Sequence, residues 1–539
     1  LFSQFRATGL VGMPNPERKY SMTPLNTDAG YAETAKFSRP NSSIIDPAAE
    51  MMARISLINT YSPYAGDSGL TPKREVIALM NMQSGVGYPE NIKFRSKDAF
   101  FRNSIDYETK MSYYDAAMAT RRPIPAPFTN SVKYEIRSSE KIENNQLRTF
   151  LAGNVYNLAL DMQYFHEMRE RMRLHNDVLP HSIGASHFYG GWGELARYLH
   201  FDNEYNSDDG LVFIEIDYTG WDRSLTTAIL QNVKEVQTKL LKREITSNET
   251  HSIVIDNLFL TKFCALVIME HGELIQFDNG NTSGQGGTLT DNCIANDFCW
   301  RYALWKMNPN MTQEEFRKYF RTKMMGDDFI AGVKMKRVPW FSPDKFAVIA
   351  AELGLIFKRF KVYPTLYTTV VPAYEGPSYL SKQFVIRDGY VMGLPERAKI
   401  FDNIEIGNQS GDVRYMHVRL LALIKECYPD KIAYENLKRF EEQCFERSKA
   451  HLMSSDEELT YQELVANRFS EYQLFVLHTG VHSVGSLKAE QAAVLNSIEF
   501  NTEHVNHSIM GDRYQGRARS NAGVPVVSVK LSQETKTEK

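Results

Sequence analysis

Cysteine is scarce and unpatterned here. The five cysteines, at 264, 293, 299, 427 and 444, form no C-x-x-C pair and no Cys/His ligand spacing, which excludes a disulfide framework and a zinc site. A reducing compartment fits that usage. Long apolar runs are missing too. The nearest, FAVIAAELGLIF, is interrupted by an acidic residue and falls short of the ~18 residues of a membrane span, so it reads as an amphipathic core helix. Net charge is nearly absent: 62 basic residues against 65 acidic ones leave −3, so a polyanionic partner would need local basic patches. No internal repeat and no signal peptide is recognisable, and Leu1 stands where an initiating Met would, predicting an end made by proteolysis or trimming.

What is present is ordinary for a folded soluble chain: 43% hydrophobic and 24% charged residues. At 539 residues it exceeds the ~250–300 at which single cores stop growing, so subdomains are expected. Residues 1 to about 130 are rich in Pro, Ser, Asn and Tyr and read as a loop-rich wrapping region. Helical periodicity begins with RTFLAGNVYNLALDMQYFHEMRERMRLH, whose Arg169, Arg171 and Arg173 are expected on a solvated or phosphate-facing surface. LVFIEIDYTGWDRSLTTAIL reads as strand, turn and helix: the strand closes on Asp217, and Asp222 and Ser224 are candidate helix caps. NGNTSGQGGTLTDNCIANDF is a Gly-rich loop entering a helix that carries Thr288, Asn292 and Asn296 on one face. MMGDDFIAGV reads as a hairpin, a helix is expected from Lys345 to Leu353, and YLSKQFVIRDGYVMG alternates like a second hairpin. From about residue 400 to near 495 the pattern is mostly helical, and a polar, basic tail follows.

Read alone, the Asp327–Asp328 doublet fits an exposed hairpin turn. If those acids met Asp217 in an interior they would repel, and a divalent cation would make the meeting favourable. Magnesium takes oxygen ligands, and two such ions serve in-line phosphoryl displacement. Ser283, Thr288, Asn292 and Asp222 are groups able to read a sugar hydroxyl.

In order, DYTGWD, SGQGGTLTDN and GDD closely resemble motifs A, B and C of viral RNA-dependent RNA polymerases, most like the picorna-like positive-strand group. QSGVGYP resembles the template-entry motif G, and KYEIRSSEKIENNQLRTF resembles motif F of the fingers. GLIFKRFK lies where motif D would be, and YLSKQF resembles motif E. The resemblance spans roughly Ser84 to Phe384. Three departures stand out: Met325 where many relatives have Tyr, NTSG in place of a proline-containing loop entry, and Leu1 in place of an N-terminal glycine.

The resemblance implies an α+β right-hand polymerase: fingers with N-terminal fingertips at 1–190, palm at 191–245 and 281–400, a fingers insertion at 246–280, and a helical thumb with the tail at 401–539. It implies that Asp217 and Asp327, with Asp328 as an auxiliary acid, hold two Mg²⁺ ions, for which Mn²⁺ can substitute. Asp222, Ser283, Gly284, Thr288 and Asn292 match the ribose-reading positions. Lys133, Arg137, Lys141 and Arg148 match the cations of the nucleotide channel, and Ser84, Gly85, Gly87, Tyr88 and Pro89 the template contacts. Lys361 is the choice for the lysine that protonates pyrophosphate, with Lys358 close behind. The implied partners are an RNA template, the nascent RNA strand and ribonucleoside triphosphates, with a protein primer and other viral replication proteins admitted. The implied setting is a membrane-associated replication complex in host cytoplasm. A reverse transcriptase fits less well because it usually has a bulky residue where Asp222 stands. A silent RNA-binding scaffold would be favoured by loss of a metal-site acid, and none is lost.

Overall fold

The structure is a computed structural model, described for residues 19–481 except 39–40, 205–206, 369–375, 407–412 and 453–464. The basic tail and the helical signal beyond residue 481 therefore lie outside the described residues, as does Leu1.

The amino-terminal third is more regular than its composition suggests. Besides strand β1 (Tyr20–Met22) and several short helices it holds helix α1 (Pro47–Ala65), capped by the Asp46 side chain with Pro47 in its first turn, and α2 (Tyr107–Met118). The expectation of a loop-rich region is corrected here. The buried face of α1 is built from Ala49, Ala53, Leu57, Tyr61 and Ala65, mostly small residues whose four-residue spacing carries little hydrophobic signal.

Strands β2 (Phe128–Val132), β3 (Ile136–Ser138) and β4 (Thr149–Ala152) lead into α3 (Val155–Leu174). β3 pairs with β1, whereas β4 and β2 belong to a four-stranded sheet completed much later in the chain. The three arginines at the end of α3 do not form a free basic face. Arg169 pairs with buried Asp161, Arg171 with Glu167 and Arg173 with Glu170. Acids one or two turns earlier on the same helix neutralise them.

The central sheet has the order β10-β5-β9-β8, all antiparallel. β5 (Leu211–Tyr218) is followed by the short helix α4 (Trp221–Ser224), α5 (Thr227–Lys239) and α6 (Glu249–Phe263). β6 (Leu266–Ile268) and β7 (Leu274–Gln276) then extend the earlier sheet, with β6 parallel to β2. Helix α7 (Thr288–Met307) is buried without interruption from Thr290 to Trp305, as expected of a helix surrounded by packing partners. Its buried Arg301 is paired with Asp297 and bonded to Ser56 and Thr60 of α1.

The hairpin of β8 (Phe320–Met325) and β9 (Asp328–Lys334) forms where expected, followed by α8 (Pro343–Glu352) and β10 (Phe357–Tyr363). Alternate residues of the inner strands serve opposite faces. Ile214, Ile216, Phe329, Ala331 and Val333 join the largest core, whereas Phe213 and Ile330 join a second one. A three-stranded sheet of β11 (Ser378–Tyr379), β12 (Lys382–Arg387) and β13 (Tyr390–Pro395) precedes, among the described residues, the helices α9 (Arg397–Glu405), α10 (Val413–Cys427), α11 (Lys431–Leu452) and α12 (Glu471–Thr479). Val385, Met392 and Leu394 pack with Phe401, Leu420, Leu437 and Leu474 in their own core.

Candidate active site

Asp217 is the penultimate residue of β5, and antiparallel pairing of β5 with β9 runs as far as Ile216 opposite Phe329. One step further puts Asp217 beside Asp328. Asp327 occupies the β8–β9 turn with Gly326, whose φ of 71° is left-handed and suits glycine. Acids 110 positions apart in sequence are thus gathered at one end of the central sheet. Solvent reaches Asp327 and Asp328, but protein surrounds them on the other sides. Asp328 is pushed up to about 7, first by loss of hydration and then by the charges of Asp327, Asp217 and Glu215. Asp327 is raised by burial and by Asp217, with Arg148 acting in the opposite direction.

The turn is held from below by α7. Asn296 donates from Nδ2 to the Gly326 carbonyl at 2.9 Å and accepts from the Tyr218 hydroxyl at 3.1 Å. The Gly326 N–H donates to Cys293 Sγ at 3.3 Å. One helix thereby links the strand carrying Asp217 to the turn carrying Asp327. Asn296 was visible as a polar helix position, but its partner could be found only once the hairpin was folded against it.

Of the sugar-reading candidates, Asp222 and Asn292 meet: Asn292 Nδ2 donates to Asp222 Oδ1 at 2.8 Å. Asp222 is pushed up to about 6 by burial and by the charge of Asp327, against the Asn292 hydrogen bond and Arg148. The capping role considered for Asp222 and Ser224 is corrected. α4 begins after Gly220 with no side-chain cap, and α5 begins after Thr226. Asn281, an unflagged member of NGNTSG, donates to Asn292 Oδ1 at 2.8 Å and accepts from Gln285 Nε2 at 2.6 Å. Ser283 and Thr288 are engaged elsewhere. Ser283 Oγ accepts from the Leu151 N–H at 3.1 Å, and the Thr288 hydroxyl donates to the Thr282 carbonyl at 3.0 Å. Gly284 accepts through its carbonyl from the Gly153 N–H at 3.3 Å, tying this loop to β4.

Three of the four motif F cations gather about one acid. Glu135, read from sequence as an interruption of the basic run, lies 3.0 Å from Lys133, 3.8 Å from Arg137 and 3.5 Å from Arg148. Lys141 is lowered by burial and by the positive charges of Arg137, Lys358 and Arg148, while Asp217 acts in the opposite direction. These side chains therefore share one electrostatic neighbourhood with the acids of the central sheet.

Lys358, rather than Lys361, touches an acid of that set: its Nζ is 3.2 Å from Asp217 Oδ2. Lys361 is exposed on β10 opposite Glu215. A register shift between Phe357 and Arg359 gives Lys358 its reach, and spacing alone does not reveal such a shift. The loop bearing Ser84, Gly85, Gly87, Tyr88 and Pro89 packs at the β4–α3 junction, where the Val155 N–H donates to the Val86 carbonyl at 3.0 Å. Lys97, unflagged in sequence, bonds Ser84 Oγ at 2.6 Å and the Gly85 carbonyl at 2.7 Å.

The viral RNA-dependent RNA polymerase family model matches residues 18–428, more than half of the chain. The chain belongs to the viral RNA-dependent RNA polymerase family. It is 23% identical over 502 residues to the genome polyprotein of Watermelon mosaic virus II (isolate USA), covering 91% of this chain and 44% of that polyprotein. It is 22% identical over 433 residues to that of Lettuce mosaic virus (strain 0 / isolate French), covering 80% of this chain and 12% of the polyprotein. With the Beet mosaic virus genome polyprotein the identity is 24% over 352 residues, with 62% and 10% covered. The chain thus spans less than half the length of each of these relatives.

The family generally uses divalent metal ions. Among the described residues, no three acidic, histidine or cysteine side chains already converge as a ligand set. The donor chemistry nevertheless fits a hard cation: the acids offer only oxygen, and their mutual repulsion is what such a cation would relieve.

Proposed function

We propose that this chain copies an RNA template into RNA from ribonucleoside triphosphates. The observation that carries this reading is the gathering of Asp217, Asp327 and Asp328 at one sheet end beside Lys358, Lys141 and Arg148. Family membership supports it. In this reading the β10-β5-β9-β8 sheet with α5, α7 and α8 is the palm, the sheet shared by residues 128–152 and 266–276 belongs to the fingers, and α9 to α12 form the thumb.

Asp217 and Asp327, with Asp328 as auxiliary, would hold two Mg²⁺ ions, and Mn²⁺ could replace them. When bound, these ions supply activation of the attacking hydroxyl and stabilisation of the leaving oxygen. The chain's own groups do the rest. The primer 3′-oxygen bonds to the α-phosphorus as the bond to the β-phosphate bridging oxygen breaks, and pyrophosphate leaves. Arg148, Lys141, Arg137 and Lys133 neutralise the triphosphate through charge-assisted contacts. Lys358 supplies a proton to pyrophosphate, the role for which the motif D resemblance put Lys361 first and Lys358 close behind. The Asp222–Asn292 pair reads the 2′-hydroxyl, because a deoxynucleotide would leave its polar groups without a partner. The loop from Ser84 to Pro89 guides template, and replication proteins at a cytoplasmic membrane complex are the natural partners of such an enzyme.

The test is primer extension with Mg²⁺, four ribonucleotides and a primed RNA, run also without primer. Wild-type protein is expected to extend, and Asp327→Ala to lose extension while keeping its melting temperature. Full activity in a folded Asp327→Ala protein would overturn the assignment.

A further inference from the structure

Beneath the Gly-rich loop that enters α7 lies a cluster of four charged side chains that the reaction scheme above does not use. Asp161 and Arg169 come from α3, Lys262 from α6 and Asp291 from α7. Asp161, Lys262 and Asp291 are fully buried, and Arg169 is nearly so. Arg169 grips Asp161 with both terminal nitrogens. Lys262 Nζ lies 2.5 Å from Asp161 Oδ1 and 3.7 Å from Asp291 Oδ2, while Asp291 Oδ1 accepts from Gln237 at 2.7 Å. Two acids and two bases balance. Burial of four ionisable groups is costly, so their retention calls for a use beyond filling space.

Their neighbours suggest that use. A Cβ on Gly286 would sit 2.2 Å from Asp161 Oδ2, and one on Gly287 would sit 2.2 Å from Arg169 Nη2. The loop backbone therefore rests directly on the ion pair, with no room for a side chain between them. From that contact a continuous chain of polar contacts leads to the sugar-reading pair: Gln285 to Asn281, Asn281 to Asn292, Asn292 to Asp222.

We propose that the Asp161–Arg169 pair is a seat that sets the height of the Gly286–Gly287 turn and so aligns Asn292 with Asp222 for sugar discrimination. Asp161 and Arg169 are then positioning residues, acting through the loop rather than on the nucleotide. Lys262 balances their charge at Asp161 Oδ1, whereas the Gly286 position faces Oδ2. The inference rests on the polymerase reading, from which its test must be separable.

The test compares ribo- with deoxyribonucleotide incorporation, as the ratio of kcat/KM values, in three variants. Gly286→Ala overfills the seat. Arg169→Lys empties part of it, since a lysine cannot reproduce the two-pronged grip. Lys262→Met changes the cluster's charge without touching the glycines. The first two are expected to lower the ribo-to-deoxyribo ratio about tenfold and raise KM for ribonucleotides, because displacement of about 1 Å at a positioned group can cost up to ~100-fold. Lys262→Met is expected to lower melting temperature and leave the ratio unchanged. An unchanged ratio in folded Gly286→Ala and Arg169→Lys would overturn the seat, as would an equal fall in Lys262→Met. Failure of wild-type protein to extend any primer would instead overturn the polymerase reading.

Discussion

Replacing Asn296 by Ala would test how the acid-bearing turn is held. The side chain is fully buried, and its amide closes two bonds at once, to the Gly326 carbonyl and from the Tyr218 hydroxyl. Truncation removes the partner of both groups in a site closed to solvent at Asn296 and Tyr218. Each orphaned polar group costs about 1–3 kcal/mol, hence roughly 2–6 kcal/mol together. Against a typical total stability of about 5–15 kcal/mol this is a large loss, and part of it should appear as loosening of residues 326–328. Urea denaturation reads the stability, hydrogen exchange reads the turn, and primer extension reads kcat. Tyr218→Phe removes only the upper bond and should cost about 1 kcal/mol. In the double variant the phenol is no longer orphaned, so the two losses should fall short of additivity by about 1 kcal/mol. A cost below about 1 kcal/mol for Asn296→Ala, or strict additivity with Tyr218→Phe, would refute the linkage.

Three further outcomes follow from the same geometry. Lys358→Ala should lower kcat by about 10²–10⁴-fold if this lysine donates the proton, and Lys361→Ala should leave kcat within about twofold; a larger loss in Lys361→Ala would restore the choice made from the motif D resemblance. Asp222 has a folded pKa of about 6 against an ordinary value of 3.8, so the unfolded chain gives up its proton first and folding stability falls as pH rises between them. Asp222→Asn lacks that term, so denaturation should show it gaining stability relative to wild type from pH 4 to pH 6. Affinity for a primed RNA should fall steeply with salt, log–log, because basic side chains displace counterions from phosphates; a flat dependence would argue against a phosphate-gripping channel.

The strand–turn–helix at Asp217, the hairpin at Asp327 and the polar face of α7 were legible because each is set by local pattern: alternation, a Gly-containing turn and a four-residue repeat. α1 was not, since Ala49, Ala53 and Ala65 bury little apolar area each, although the helix packs along α7. Partnerships were less legible than positions. That Ser283 bonds the backbone of β4, that Glu135 collects three cations and that Lys358 reaches Asp217 all depend on segments remote in sequence or on a register shift. Motif order could assign residue types to a site but not their hydrogen-bond partners. Arg169 illustrates the point, since a surface arginine and a buried one paired to an acid two turns back have the same local sequence.

Charge in the cleft explains how such a site can stay folded before its ligands arrive. Asp217 is neutralised by Lys358, while Lys133, Arg137 and Arg148 share Glu135. In the proposed reading these are placeholder pairs: a cation arriving at Asp217 would displace Lys358, and a triphosphate would draw the three cations from Glu135. The exchange is cheap where the pairs are open to water. Lys358 is 62% exposed and Arg148 57%, and exposed pairs of this kind are worth only about 0–1 kcal/mol, whereas Lys133 and Arg137, 30% and 18% exposed, lie deeper beside Glu135. The Asp161–Arg169 pair below is sealed, with side chains 1% and 12% exposed, and breaking it would strand a buried charge at a cost of about 3–5 kcal/mol. On the proposed reading, weak pairs stand where ligands would replace them, and a strong pair stands beneath the loop it would hold. Glu135→Gln should therefore raise the affinity for nucleotide by freeing its three cations, while Asp161→Asn should lower stability. The reverse pattern in equilibrium binding and denaturation would contradict this division.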